Sequence, residues 1–240
     1  MVSYDGYDYA AFWNGREYEN MADKIAVSDL LSRIPGQLGA VADIGGGTGR
    51  MIGLYMSRAD KITVVDPSKE QLGHAKKTLN GGTDADFEIG IAEDMPFPDK
   101  NFDTVVCVRV FHYIEEPDRA IKEIYRVLKP GCYLILEIPN KKHFKNKFRE
   151  LFGRKRPIDT AIVPDNAFIN HIPDEISLML TTVGFNILAK KSVSNFRWLF
   201  LKRVMPISFL LFLEKLVQAP FAGIWFGPSA YFLAQKHGRP

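Results

Sequence analysis

The stretch that most constrains this chain is a short apolar run that empties directly into glycines: Ala40-Val41-Ala42-Asp43-Ile44-Gly45-Gly46-Gly47-Thr48-Gly49. A strand that ends in such a turn lets backbone approach a ligand with no Cβ in the way. That arrangement belongs to open, mostly parallel sheets, in which ligands sit beyond the carboxyl ends of the strands. A dinucleotide fingerprint GxGxxG starting at Gly45 would need glycine at position 50, where Arg50 stands. A nicotinamide-dependent oxidoreductase is disfavoured on that ground.

The rest of the chain repeats the alternation of apolar run and helical pattern. A helix is expected over 19–32, ended by Pro35-Gly36, and another over 50–57. Strands are expected over 62–65, 87–91, 104–108 and 133–138, with helices over 68–79 (Ser68 as its cap) and 117–128 (stopped by Lys129-Pro130-Gly131). Near-continuous apolar strands separated by helices predict a doubly wound α/β sheet. Beyond 140, a helix over 174–183 and strands over 185–189 and 229–234 complete the pattern. The 240 residues suit one domain: N-terminal helices and lid over 1–37, a ligand-binding core over 38–140, and cap elements with the last two strands over 141–240.

Composition narrows the function classes. A net charge of +3 is too small to argue for nucleic acid, and no aromatic stacking motif or added RNA-binding domain accompanies the basic residues. Cys107 and Cys132 lie in apolar runs without metal-ligand spacing, and the five histidines show none either, so no metal is expected. The first residues lack a basic start followed by an apolar run, and no uncharged stretch of about 18 residues would make a spanning helix. A cytoplasmic location is expected.

Three further features follow the glycine turn. Val64-Val65-Asp66-Pro67-Ser68 puts a carboxylate at the end of the second strand, where an acid can accept hydrogen bonds from both ribose hydroxyls and Pro67 can lie against a base. The bland alternative for Asp66 is an acid favoured by the dipole of the helix that follows. Ala92-Glu93-Asp94-Met95-Pro96-Phe97-Pro98-Asp99 is an acidic, turn-rich loop before the fourth strand. Val108-Arg109-Val110-Phe111-His112-Tyr113-Ile114 follows that strand, and Arg126-Val127-Leu128-Lys129-Pro130-Gly131 precedes the fifth.

Together these motifs, over roughly residues 38–140, resemble the class I S-adenosylmethionine-dependent methyltransferases, in particular the ubiquinone/menaquinone-biosynthesis-like group. The resemblance implies a Rossmann-like sheet of seven strands, mostly parallel, whose last strand is antiparallel. It implies S-adenosyl-L-methionine as cofactor, with Asp43, Gly45, Gly46, Gly47, Gly49, Asp66, Pro67, Ala92, Glu93 and Arg109 on the cofactor side. The family usually has an acid two residues before the glutamate, and here Ile91 occupies that position, leaving backbone groups of Ala92 and Glu93 for adenine. The implied activity is methyl transfer to a small, lipophilic molecule. The alternative is a catalytically silent domain that binds the same nucleoside and acts as a partner or regulator.

Methyl transfer from a sulfonium is an in-line displacement in which the protein mainly holds the reactants together. His112 is the candidate base, against a loop-structuring role, with Tyr113 and His171 behind it. Arg16, in the aromatic stretch over 7–19, can pair with a cofactor carboxylate or make an ordinary ion pair at a helix entry. Between 141 and 156, eight residues are Lys or Arg and Glu150 is the lone acid; 196–226 is apolar and aromatic. A basic amphipathic cap in peripheral contact with a membrane, a lipophilic acceptor site, and packing on the sheet or a second subunit are the readings of these segments.

Overall fold

The computed structural model describes residues 12–79, 85–144 and 169–238. The chain enters through helix α1 (Glu17–Ser32), then strand β1 (Gly39–Ile44), β2 (Ala59–Asp66), helix α2 (Lys69–Leu79), β3 (Ala85–Ile89) and β4 (Phe102–Cys107). Helix α3 (Pro117–Val127) leads to β5 (Leu128–Pro139); α4 (Pro173–Val183) to β6 (Phe185–Val193); then come α5 (Leu199–Val204), α6 (Ile207–Val217) and β7 (Ser229–Lys236). One seven-stranded sheet runs β3-β2-β1-β4-β5-β7-β6. Strands β1 to β5 pair in parallel, whereas β7 inserts antiparallel to both β5 and β6. This is the expected doubly wound sheet with its antiparallel last strand.

Side chains alternate between two cores, as strand geometry demands. Val105, Cys107, Leu134, Leu136 and Phe232 pack with Ile121 and Ile124 of α3 and Ile176 and Leu180 of α4. Val41, Val64, Val106, Ile135 and Tyr231 pack with Ala22, Ala26 and Leu30 of α1. Each fully buried aliphatic chain contributes about 1.5–3 kcal/mol. Both α3 and α4 start with proline at the first turn, where the missing N–H costs nothing. Ser68 Oγ accepts from the Gln71 N–H at 3.2 Å, making the predicted cap of α2.

Two expectations are corrected. Residues 50–57 do not form an α-helix but two 3₁₀ turns, Ile52–Leu54 and Met56–Arg58. Gly53 weakens the helix, and few residues lie between the glycine turn and β2. The segment is also held at both ends. The Tyr55 hydroxyl is drawn to Asp43, and the Arg58 guanidinium binds the carbonyls of Leu31 (2.8 Å), Ile34 and Gly36 (both 2.6 Å) at the end of α1. The second concerns β5, which begins at Leu128 rather than beyond Gly131. Leu128 pairs with Phe102 and Tyr133 with Thr104, so the intervening residues bulge, and Pro130 is tolerated there for want of a ladder bond to make.

Candidate cofactor and acceptor site

Three carboxylates sit where the sheet's alternation would otherwise place apolar residues on the α1 side. They are Asp43 of β1, Asp66 of β2 and Glu137 of β5, and all are buried. Each lies at or near the carboxyl end of its strand, Asp43 and Asp66 against the glycine turn and Glu137 beneath Arg109.

At Gly45 and Gly46 the turn has no room for side chains. Gly45 (φ +64°) donates to the Val65 carbonyl at 2.6 Å, and a Cβ there would fall 2.2 Å from Val110 Cγ2. A Cβ on Gly46 would meet Val64 Cγ1 at 2.7 Å and the Asp43 carboxyl at 2.9 Å. At Gly47 the nearest atom to such a Cβ is Asp66 Oδ2, at 3.8 Å, so this glycine presents open backbone. Its N–H donates to that same Oδ2 at 3.0 Å, while Asp66 Oδ1 accepts from the Ser68 N–H at 2.9 Å. Asp66 therefore does two things at once: it steadies the glycine turn and receives the start of α2. Pro67 is half-buried beside it, and Gly49 closes the turn by donating to the Gly46 carbonyl at 2.8 Å.

Asp43 accepts from the Tyr55 hydroxyl at 2.6 Å. Burial pushes its carboxyl up to about 6; the Tyr55 hydrogen bond and the Arg50 charge oppose the rise, and the neighbouring Asp66 adds to it.

The loop before β4 is fastened from α3. Residues 91–94 make a tight turn, with Ala92 buried and Glu93 half-buried. Arg126 reaches the carbonyls of Phe97 (2.8 Å) and Met95 (3.2 Å), and Glu123 accepts from the Met95 N–H at 2.8 Å. Ile91 is half-buried at this turn, at the position where the resembling family has an acid.

Arg109, just past β4, adopts φ +65°, a left-handed conformation that costs a non-glycine residue of order 1–3 kcal/mol. Two bonds hold it there. Its N–H donates to Glu137 Oε2 at 2.9 Å, and its guanidinium grips Asp23 of α1 through Nε and Nη2, both at 3.0 Å. Asp23 is fully buried and also accepts from Arg50 Nη2 (3.3 Å) and the Tyr231 hydroxyl (2.8 Å). Arg50 in turn lies over the Trp13 ring at 4.1 Å. Glu137 Oε1 stands 3.9 Å from Arg109 Nη1, and the Ser229 hydroxyl is a further hydrogen-bond donor to this carboxylate. Burial raises the Glu137 pKa, and the Arg109 charge opposes that.

His112 sits one turn further on, in the Phe111–Tyr113 3₁₀ helix, and is 8% exposed. Burial, aided by the positive charges of Arg109 and His171, pushes its pKa down to about 3, so the imidazole is neutral at physiological pH. Tyr113 packs on it with ring centroids 3.8 Å apart. His171 donates from Nε2 to the Phe111 carbonyl at 2.7 Å, which makes it a strut for the loop. Arg16 lies over the Phe12 ring at 4.2 Å. Of the aromatic entry segment, residues 7–11 lie outside the described residues, as do 145–156 of the basic stretch.

Sequence reasoning missed Asp23, Tyr55, Glu137 and Tyr231. A signal existed for two of them. Asp23 shares the α1 face of Ala22, Ala26 and Leu30, and Glu137 interrupts the apolar run of β5; a lone acid at a buried spacing needs a partner.

Residues 42–136 match the family model described as a methyltransferase domain. The ubiquinone/menaquinone biosynthesis C-methyltransferase of Rubrivivax gelatinosus is 31% identical over 60% of this chain. The chloroplastic 2-methyl-6-phytyl-1,4-hydroquinone methyltransferase 2 of rice is 41% identical over 45% of it. The matched stretches span 55% and 30% of those two proteins. Among solved structures, an S-adenosylmethionine-dependent methyltransferase from Thermotoga maritima superposes with a TM-score of 0.61 at 20% identity, covering 95% of each chain, a likeness of fold. Residues 42–136 thus match a methyltransferase domain, and the fold as a whole is like that of a solved S-adenosylmethionine-dependent methyltransferase.

Proposed function

We propose that this protein transfers a methyl group from S-adenosyl-L-methionine to a small, lipophilic, quinone-like acceptor. The observation that carries the reading is the placement, at the carboxyl ends of β1, β2 and β4, of a glycine turn closed to side chains at Gly45 and Gly46, the buried acid Asp66, and Arg109 held in a strained conformation by Glu137 of β5. The residues present fit the cofactor. Open backbone at Gly47 stands beside an acid suited to ribose hydroxyls, and Pro67 and the 91–94 turn flank the place for adenine. The cofactor supplies an electrophilic methyl carbon on a sulfonium. The chain's own part is to bind, orient and exclude water, and positioning of this kind is worth up to about 7–11 kcal/mol.

His112 in this setting is a poor general base. A buried imidazole whose pKa is pushed down to about 3 is neutral at pH 7 and holds a proton taken from an acceptor only weakly. Such a site favours an acceptor that is already nucleophilic, and an electron-rich quinol ring is one. The quinone and hydroquinone chemistry in the names of the two relatives supports that class. Free thiols at Cys107 and Cys132 suit a reducing compartment, in keeping with the cytoplasm.

The test pairs calorimetric titration of S-adenosylhomocysteine with mass spectrometry of prenylated quinols incubated with S-adenosylmethionine. Micromolar binding together with a methylated quinol is expected. Binding without methylation of any quinol, while a water-soluble phenol is methylated, would overturn the acceptor class. Absence of binding would overturn the cofactor site.

A further inference from the structure

Helix α6 is turned inside out. Its buried positions are Leu210 and Glu214, continued one turn on by the capping Gln218, while Phe209, Phe212 and Leu216, spaced i, i+3 and i+7, point to solvent. Phe212 is 58% exposed and Leu216 57%. A helix on a globular surface normally shows the opposite polarity.

The orientation is locked. Glu214 accepts from the Tyr18 hydroxyl (2.5 Å), the N–H groups of Ser194 (2.8 Å) and Asn195 (3.0 Å), and Asn195 Nδ2 (3.1 Å). The Gln218 side-chain amide donates to the Ala22 carbonyl at 3.0 Å, and its main-chain carbonyl accepts from the Ser192 N–H at 2.8 Å. Rotating α6 to hide its phenylalanines would strip a buried carboxylate of all these donors. The preceding short helix α5 adds Leu199 (72% exposed), Phe200 (70%) and Val204 to the outward apolar surface, with Trp198 at its entry. These residues together exceed the singly scattered apolar side chains of an ordinary surface.

Charge decides what covers them. Across 197–226 the lone acid is Glu214, which is buried, whereas Arg197, Lys202, Arg203 and Lys215 are basic. Lys202 is paired with Glu19 at 2.9 Å, leaving exposed Arg203 and Lys215 next to Val204 and Leu216. A second copy of this face would bring like charges together. An anionic lipid surface satisfies both the aromatic groups and the positive rim. Among the described residues no helix is long and apolar enough to cross a membrane, so the contact is one of lying on the surface.

We infer that α5 and α6 form an interfacial anchor that docks the protein on anionic membranes through Leu199, Phe200, Phe209, Phe212 and Leu216, with Arg203 and Lys215 at the headgroups. The inference does not depend on the acceptor's identity, because docking is read with no acceptor present. In vesicle flotation, the full chain should bind phosphatidylglycerol–phosphatidylcholine vesicles about tenfold or more tightly than phosphatidylcholine alone, and added salt should weaken the binding. Tryptophan emission should shift to the blue on docking. The triple variant Phe209→Ser, Phe212→Ser, Leu216→Ser should lose binding by roughly a hundredfold or more while its melting temperature holds, since these side chains are exposed. Arg203→Glu with Lys215→Glu should abolish the preference for anionic lipid. Wild-type protein that ignores anionic vesicles at low salt overturns the inference, as does a triple variant that binds like wild type. A stable dimer in sedimentation that the triple variant dissolves, without vesicle binding, would assign the face to a second copy instead.

Discussion

Asp23 offers the most direct test of how the cofactor edge is built. Its carboxylate, fully buried, takes four hydrogen bonds: two from Arg109, one from Arg50 and one from Tyr231. With Glu137 it balances the two guanidinium groups, which are only 18% and 12% exposed in their side chains. Asp23→Ala leaves both cations without that carboxylate and a tyrosine hydroxyl without its acceptor. Breaking a buried pair from one side costs about 3–5 kcal/mol, more than the same pair contributes over a well-packed apolar substitute. For a protein of this size each kcal/mol lowers the melting temperature by about 2–4 °C, so a fall of roughly 6–20 °C is expected. Asp23→Asn keeps one acceptor and should fall between. Because Arg109 is the residue past β4 whose backbone is strained, S-adenosylhomocysteine affinity should drop too, even when measured well below the melting transition. The assay is chemical denaturation of Asp23→Ala, Arg109→Met and the double variant, with coupling read from the cycle. Two single variants each within about 1 kcal/mol of wild type, with no coupling, would refute the argument.

Other expectations follow from the same geometry. Asp66→Ala should weaken S-adenosylhomocysteine binding about 10- to 150-fold by calorimetry, and lose stability as well because the Gly47 and Ser68 N–H groups lose their acceptor. Unchanged affinity with lowered stability would remove Asp66 from the ribose. Gly45→Ala should abolish cofactor binding, since its Cβ would stand 2.2 Å from Val110 Cγ2; Val110→Ala in the same protein should restore part of it in the same titration. His112 has a folded pKa of about 3 against an ordinary 6.5, so between these values the unfolded chain takes up the proton and the native one does not. Its stabilising contribution is complete above pH 6.5 and declines as pH falls. Relative to wild type, His112→Asn should therefore gain about 2 kcal/mol between pH 7 and pH 5, read from denaturation midpoints at the two pH values.

The order of strands and helices was legible in the chain because apolar periodicity and turn residues are local. Ala40 to Ile44 reads as a buried strand, Gly45 to Gly49 as a turn, and Pro117 as a helix start without reference to anything distant. Asp66 at the end of β2 was visible for the same reason. The residues after Gly49 were misread, because their pattern suits a helix and only Asp43 and the end of α1, which hold Tyr55 and Arg58, decide otherwise.

What tertiary structure alone decided lies in the pairing of distant groups. Asp23, Arg109, Glu137 and Tyr231 are separated by up to 208 positions, yet share one buried cluster. An acid in an apolar run announces only that a partner exists; which cation it meets depends on how α1 crosses the sheet. The same holds for His112. A loop histidine is a plausible base on its sequence, and only burial beside Arg109 makes it too weak a base to serve. Helix α6 shows the point most plainly. Its sequence is apolar enough to be read as core, but the chain turns Glu214 and Gln218 inward because their hydrogen-bond donors and acceptors wait on α1 and at the end of β6, and the phenylalanines are left facing outward. Periodicity reports that a helix has two faces; the buried polar partners select which one the protein keeps.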